Sequence, residues 1–209
     1  CARSVTVDWS FQLADGSVTA SCSTAGVAFI DVYANRFRVG SFDCFGPPGT
    51  VALAQGTNAL VVEGVDAGGA IRYRELSTID ASTCGNQGTI LTRPAQGLLV
   101  VDYSFFPVNA CFATQPTFMW LAVQDDLAGQ PASADPGTTS FQLCSTTAAA
   151  PRYALPVGPF TLVGIEEVLP TGGGVTTVGS DCTDRPFEIA ATIETTVQPV
   201  LVSSSARCF

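Results

Sequence analysis

The sequence contains no histidine and no lysine; all nine of its basic residues are arginine. Without imidazole or a side-chain amine, the commonest general base, the Schiff-base nucleophile and the most frequent metal ligand are all missing. Carboxylates are left as the only candidates for acid–base chemistry. Eighteen acidic residues against nine arginines give a formal charge of −9 and a pI near 4.2. Such a chain lacks the clustered cations that a phosphate backbone requires, which argues against nucleic acid and, for the same reason, against an anionic membrane surface. Mean hydropathy is +0.33, yet no uninterrupted apolar run approaches the ~20 residues that span a bilayer. The longest apolar stretches, near Ala59–Val65 and Phe118–Val123, have the length of strands, so no transmembrane segment is expected. Low charge with abundant Thr, Ser, Val and Ala reads as β-structure with a weakly charged surface, suited to adhesion, to packing in an assembly or to an extracellular setting.

What is present is a repeat. Val5-Thr6-Val7-Asp8-Trp9-Ser10-Phe11 recurs as Leu99-Val100-Val101-Asp102-Tyr103-Ser104-Phe105. Each copy is followed by a cysteine (Cys22; Cys111), an apolar strand, and a Ser-Phe segment leading to a second cysteine (Ser41 to Cys44; Ser140 to Cys144). A period this long is a whole small domain rather than a solenoid unit of ~20–50 residues. The expectation is two domains, 1–95 and 96–209, the second with an additional C-terminal strand. Modules of this size bury on the order of 65% of their unfolded surface, so covalent staples help them.

Alternating apolar residues predict strands at Val5–Phe11, Val27–Tyr33, Phe37–Phe42, Val51–Ala54, Ala59–Val65, Ala70–Ile79 and Thr89–Thr92. In the second copy they predict Leu99–Phe105, Phe118–Val123, Thr139–Cys144, Arg152–Leu155, Phe160–Val168, Gly174–Val178 and Phe187–Thr192. Ala14-Asp15-Gly16, Gly46-Pro47-Pro48-Gly49, Asp66-Ala67-Gly68-Gly69 and Pro170 to Gly174 are turn signals. No stretch holds a helical period with a cap. Some seven short strands per copy, with turns every 8–12 residues, imply an all-β chain of two tandem immunoglobulin-like β-sandwiches with little or no helix. Trp9 and Tyr103 are expected at the core between the sheets. The junction Thr92–Gly97 is short and stiff.

Eight cysteines, none in a C-x-x-C pair, read as a disulfide framework formed in an oxidising compartment, secreted or at the cell surface. The repeat pairs Cys22 with Cys44 and Cys111 with Cys144, loops worth roughly 3–4 kcal/mol each on chain-entropy grounds. Cys84 and Cys182 correspond to each other; Cys1 and Cys208 have no counterparts. Three arrangements compete for these four. Cys1–Cys84 and Cys182–Cys208 can staple each module to itself; Cys1 and Cys208 can join head to tail between molecules; or Cys1 can be the acylated first residue of a lipoprotein. Parity speaks against the last. A chain opening at Cys, with no signal peptide, is expected to have been processed or trimmed.

The repeat resembles tandem Ig-like modules of secreted proteins and lipoproteins of GC-rich Gram-negative bacteria. The matching pattern is Val5-x-Val7-x-Trp9-x-Phe11, Cys22, Ala25-Gly26-Val27, Gly40-x-Phe42-x-Cys44, Gly64 to Gly69, Tyr73-Arg74, and Pro94 to Val101 opening the next module. It covers residues 4–106 well and 107–182 more loosely, and departs after 183. The resemblance implies a surface or extracellular β-sandwich and carries over no catalytic residue.

Chemistry finds little purchase. Glu166-Glu167 and Asp125-Asp126 are adjacent pairs on strands or strand ends, where neighbours face opposite ways, and they read as solvated edge charges rather than a glycosidase pair. Asp66, or Asp181 and Asp184 around Cys182, lack the dense oxygen loop of a calcium site. Gly172-Gly173-Gly174 reads as a turn rather than a phosphate loop. No cofactor, metal or catalytic residue is expected. Two readings remain. One is a structural subunit that associates with itself into a fibre or surface layer through its terminal segments, Cys1, Val197, Val200, Leu201, Val202 and Cys208, either by strand addition or by bridging. The other is a monomeric surface module that displays loops such as Asp126–Pro136 to a protein or glycan.

Overall fold

The computed structural model describes residues 1–106, 111, 116–127, 138–144, 150, 152–202 and 206–208. The chain is all-β and disulfide-stapled, with one four-residue helix, α1 (Cys22–Ala25), among the described residues. It divides into two compact units. One comprises Cys1–Leu98, Ala154–Gly158 and Ile189–Glu194, the other Leu99–Tyr153, Pro159–Glu188 and Thr195–Phe209.

The first copy contributes β1 (Arg3–Trp9), β2 (Phe11–Gln12), β3 (Val18–Thr19), β4 (Phe29–Ala34), β5 (Phe37–Asp43), β6 (Gly49–Ala52), β7 (Gly56–Val65), β8 (Ile71–Ala81) and β9 (Gly85–Thr92). Alternation in β1 turns Val5, Val7 and Trp9 inward, and Phe11 follows them into the core. β1 pairs antiparallel with β6 and parallel with β9, making a sheet β6-β1-β9; a second sheet runs β5-β4-β7-β8. Seven strands in sheets of three and four are the sandwich that the turn spacing predicts. The two sheets share one apolar cluster in which Val5, Val7 and Phe11 meet Ile30, Val32, Leu60, Val62 and Tyr73. Phe11 and Tyr73 rings lie 5.2 Å apart, and Trp9 stacks on Phe42 at 6.4 Å. Close packing dictates Gly49, where a Cβ would sit 2.3 Å from the Phe42 ring. The helix is a local capping event rather than a periodic one. Ser21 Oγ accepts from Thr24 N at 3.2 Å, and Gly26, at φ +69°, ends the turn.

The second copy contributes β10 (Gln96–Val101), β11 (Ser104–Phe106), β12 (Phe118–Asp125), β13 (Thr138–Leu143), β14 (Arg152–Pro156), β15 (Gly158–Thr171), β16 (Gly174–Asp181), β17 (Arg185–Ile189), β18 (Glu194–Val197) and β19 (Val200–Val202). Its sheets repeat the plan of the first: β14-β10-β18 answers β6-β1-β9, and β13-β12-β15-β16 answers β5-β4-β7-β8. β17 also pairs with β15. The larger sheet continues past β16 through β19 to β11. Tyr103 departs from its repeat partner Trp9. It falls between β10 and β11, half-buried, edge-on to Phe105 at 5.7 Å.

The additional C-terminal strand lies inside its sheet, and the first copy has only isolated bridges in the equivalent place. β19 runs parallel to β11 and antiparallel to β16, with Val202 opposite both Phe106 and Ser180. In the first copy Ala95 bridges Gln12 in parallel and Arg74 in antiparallel fashion. The junction after β9 and the tail after β18 are therefore one structural feature, carried by backbone pairing without shared residues, which hid it from the sequence. Leu201 is 1% exposed. Leu201→Ala is expected to cost about 2–4 kcal/mol in urea unfolding, as a buried leucine does; a tail that merely lay on the surface would leave stability unchanged.

Candidate functional site

The elements that end each copy are held by polar contacts to the strands beside them. After β18 the chain crosses at Gln198-Pro199 into the other sheet, and Ser104 N donates to Pro199 O at 3.1 Å. In the first copy Ser10 N donates to Thr92 O at 3.1 Å. At the next residue a carboxylate on the neighbouring strand takes the crossing chain's amide. Val200 N donates to Asp181 Oδ2 at 2.9 Å, and Arg93 N donates to Glu75 Oε2. Asp181 also receives Arg185 Nη2 at 2.5 Å and Thr183 N at 3.0 Å. Burial opposes its charge, but the Arg185 guanidinium and the Val200 and Thr183 donors outweigh that and hold its carboxyl down at about 2.

A second carboxylate fixes the tail further on. Glu166, fully buried on β15, receives Thr177 Oγ1 at 2.8 Å and the amide of Cys208. Cys208 is bonded to Cys182, and a Cβ at Gly164 would sit 2.8 Å from Cys208 Cβ, so glycine is what lets the bridge lie against β15. The other bridges join Cys1 to Cys84, Cys22 to Cys44 and Cys111 to Cys144. No free cysteine is found among the described residues. Cys1 Sγ bonded to Cys84 is not available for a thioether to lipid, nor for a bond to another molecule's Cys208.

The predicted assembly residues are placed as follows. Val197 is buried in β18, Leu201 is buried in β19, and Val200 is 44% exposed. The Val202 side chain, and residues 128–136 of the loop Asp126–Pro136, lie outside the described residues. Strand addition by β19 would require it to leave both of its neighbours.

The reading of Glu166-Glu167 as solvated edge charges is corrected. Both are buried on β15, a strand flanked within its sheet by β12 and β16, with Thr177 and the Cys208 amide against Glu166 and Thr117 against Glu167. They do face opposite ways, Glu166 toward Thr177 and Glu167 toward Thr117, whose hydroxyl lies 2.5 Å from Glu167 Oε1. Asp125 Oδ1 accepts from Leu127 N and Asp126 Oδ2 from Thr161 Oγ1, each at 3.0 Å. The Asp66 carboxylate is occupied by the amides of Gly68 and Ala70 and by Arg72, which hold it below the ordinary carboxylate range, the Ala70 amide most. Asp66 and Asp181, two of the three carboxylates weighed for calcium, are thus committed to arginine.

One charged row escaped the sequence reading. Ser41, Asp31, Glu63 and Arg74 stand in register across β5, β4, β7 and β8. Asp31 and Glu63 are directly opposite, an unfavourable pair, relieved at one end by Arg38 on Asp31 at 2.6 Å and at the other by buried Arg74 on Glu63 at 2.8 Å. Large apolar side chains left in solvent include Leu91 on β9 (80% exposed), Phe37 (76%) and Phe45 (70%).

No protein-family profile and no characterised protein sequence matches the chain. Among solved structures, the chain is similar to GBS52, the minor pilin of Streptococcus agalactiae, at 11% identity and a TM-score of 0.42 over 98% of each chain. It is similar to the fimbrial anchor protein Mfa2 from Porphyromonas gingivalis at 14% identity and a TM-score of 0.34, over 93% of this chain and 75% of that one. A leucine-rich repeat protein from Bacteroides thetaiotaomicron aligns over 94% of this chain at 10% identity and a TM-score of 0.31; the chain spans 26% of that protein's length.

Asp181 makes stability acid-sensitive. Its folded value of about 2 lies below the ordinary 3.8, so its contribution is complete above the ordinary value and is lost as pH falls from about 4 to about 2. The shift corresponds to about 2 kcal/mol. Asp181→Asn is expected to be less stable than wild type at pH 7, with the difference shrinking across that window; urea unfolding at pH 7, 4 and 2.5 reads it.

Proposed function

We propose that the chain is a non-enzymatic structural subunit of a bacterial surface or secreted assembly, a fibre or layer, formed by self-association of its two β-sandwich modules, 1–95 and 96–209. The observation that carries this is the exposure of Leu91, Phe37 and Phe45, each at least 70% in solvent, on a chain in which only 13% of residues are charged. Leu91 stands on β9, which is at the edge of its sheet. Natural edges are blunted by lysine, proline or bulges. Here the bulge and two positive-φ glycines, Gly85 and Gly88, protect the start of β9, while Thr89–Thr92 carries no charge.

Four bridges suit an oxidising, extracellular setting. Their intramolecular pairing makes the association non-covalent. The described carboxylates with the most buried surroundings hold strands and chain ends. No helix among the described residues is long and apolar enough to cross a membrane.

Purified from its source, the protein is expected to run as one band on non-reducing gels, while light scattering and negative-stain imaging of the same sample show larger species that grow with concentration. A monomer at every concentration up to the solubility limit would overturn the reading in favour of a module that binds a protein or glycan.

A further inference from the structure

Resting on that self-assembly, we propose that two repeat-equivalent corners of opposite charge join successive copies: Arg36 and Phe37 of one molecule dock on Asp126 and Leu127 of a second copy of this chain. The two corners occupy the same place in their modules. Asn35 N donates to Ala59 O at 2.8 Å just after Ala34 pairs with Leu60; Asp126 N donates to Pro159 O at 3.2 Å just after Asp125 pairs with Phe160. The repeat therefore presents one site twice, with inverted chemistry.

On the first corner Arg38 is spent on Asp31 and Ser41, whereas Arg36 is exposed and has no ionic or hydrogen-bond partner among the described residues. Phe37 beside it is 76% exposed. On the second corner Asp126 is exposed, with the Thr161 hydroxyl as its one side-chain donor among the described residues, and Leu127 beside it is 42% exposed. Each corner thus pairs one exposed charge with one exposed apolar side chain. Charge extends the complementarity. Residues 1–95 hold six arginines against eight carboxylates and residues 96–209 three against ten, and no basic residue occurs from Pro94 through Pro151. A basic corner on this acidic protein fits the acidic corner of its own kind.

Backbone geometry shows that the first corner is built for presentation. Asn35 and Arg36 both have positive φ, +52° and +73°, a two-residue turn whose second position ordinarily falls to glycine. An arginine held there costs conformational energy that a purely connecting turn has no reason to retain. The Asn35 carboxamide, accepting from Ala59 N at 2.9 Å and donating to Asn58 Oδ1 at 3.1 Å, keeps the corner rigid. Because the two surfaces differ, the contact is heterologous and propagates into a ring or filament instead of closing as a two-fold dimer.

Charge exchange tests this. Sedimentation velocity on the full chain compares wild type with Arg36→Asp (aspartate tolerates positive φ), Arg36→Gly, Asp126→Arg and the double variant Arg36→Asp/Asp126→Arg, each first checked for wild-type urea unfolding. Each single variant is expected to weaken association by at least about tenfold, and the double variant and an equimolar mixture of Arg36→Asp with Asp126→Arg to recover it. Single variants that associate like wild type, or a double variant that fails to recover, overturn the docking while self-assembly itself stands. A wild type that stays monomeric overturns both, as does binding of an acidic glycan through Arg36 without self-association.

Discussion

Each copy depends on one constraint: its last segment must leave one sheet, enter the other, and be held there. The crossing residue's amide would be left without a ladder partner as the chain changes sheets. A carboxylate on the neighbouring strand accepts it, Glu75 for Arg93 and Asp181 for Val200. A charge-assisted bond of this kind is worth about 1.5–3 kcal/mol, comparable with burying one aliphatic side chain. With it in place, the following residues can pair on both sides, and the parallel contacts of Ala95 with Gln12 and of β19 with β11 follow.

Buried charge serves the same end elsewhere. Glu166 holds the Cys208 amide, Glu167 meets Thr117, and Arg74 closes the row through Glu63 and Asp31. Removing one partner from such a group leaves an uncompensated charge inside the protein and is far costlier than the pair's net contribution. The arrangement therefore specifies register more than it adds stability. A chain with few charges has placed a good share of them where strands must not slip.

The all-β plan was legible because alternation and turn residues act over a few neighbours; β1, β4, β7 and β8 all lie where Val5–Phe11, Val27–Tyr33, Ala59–Val65 and Ala70–Ile79 were expected, within a few residues. α1 was missed because its four residues depend on the Ser21 cap and on Gly26 rather than on a period. Glu166 and Glu167 were misjudged because adjacency in a strand says only that side chains diverge. Whether the faces they reach are covered depends on Thr117 and Cys208, distant in sequence. The candidate corners escaped notice for the same reason: Asn35-Arg36 and Asp126-Leu127 occupy equivalent places only once their strands are paired.

Composition, the repeat and the cysteine count were enough to determine a disulfide framework, a β-rich architecture and a chemistry without imidazole or lysine, because these follow from residue identity and local spacing. Tertiary structure alone decided how Cys1, Cys84, Cys182 and Cys208 pair, which carboxylates are buried, and that the tail from Thr196 is the counterpart of the junction at Thr92–Ala95. Backbone hydrogen bonds carry no side-chain signature, so two segments without a shared sequence can fill one place in a fold, and only the pairing of distant strands shows it.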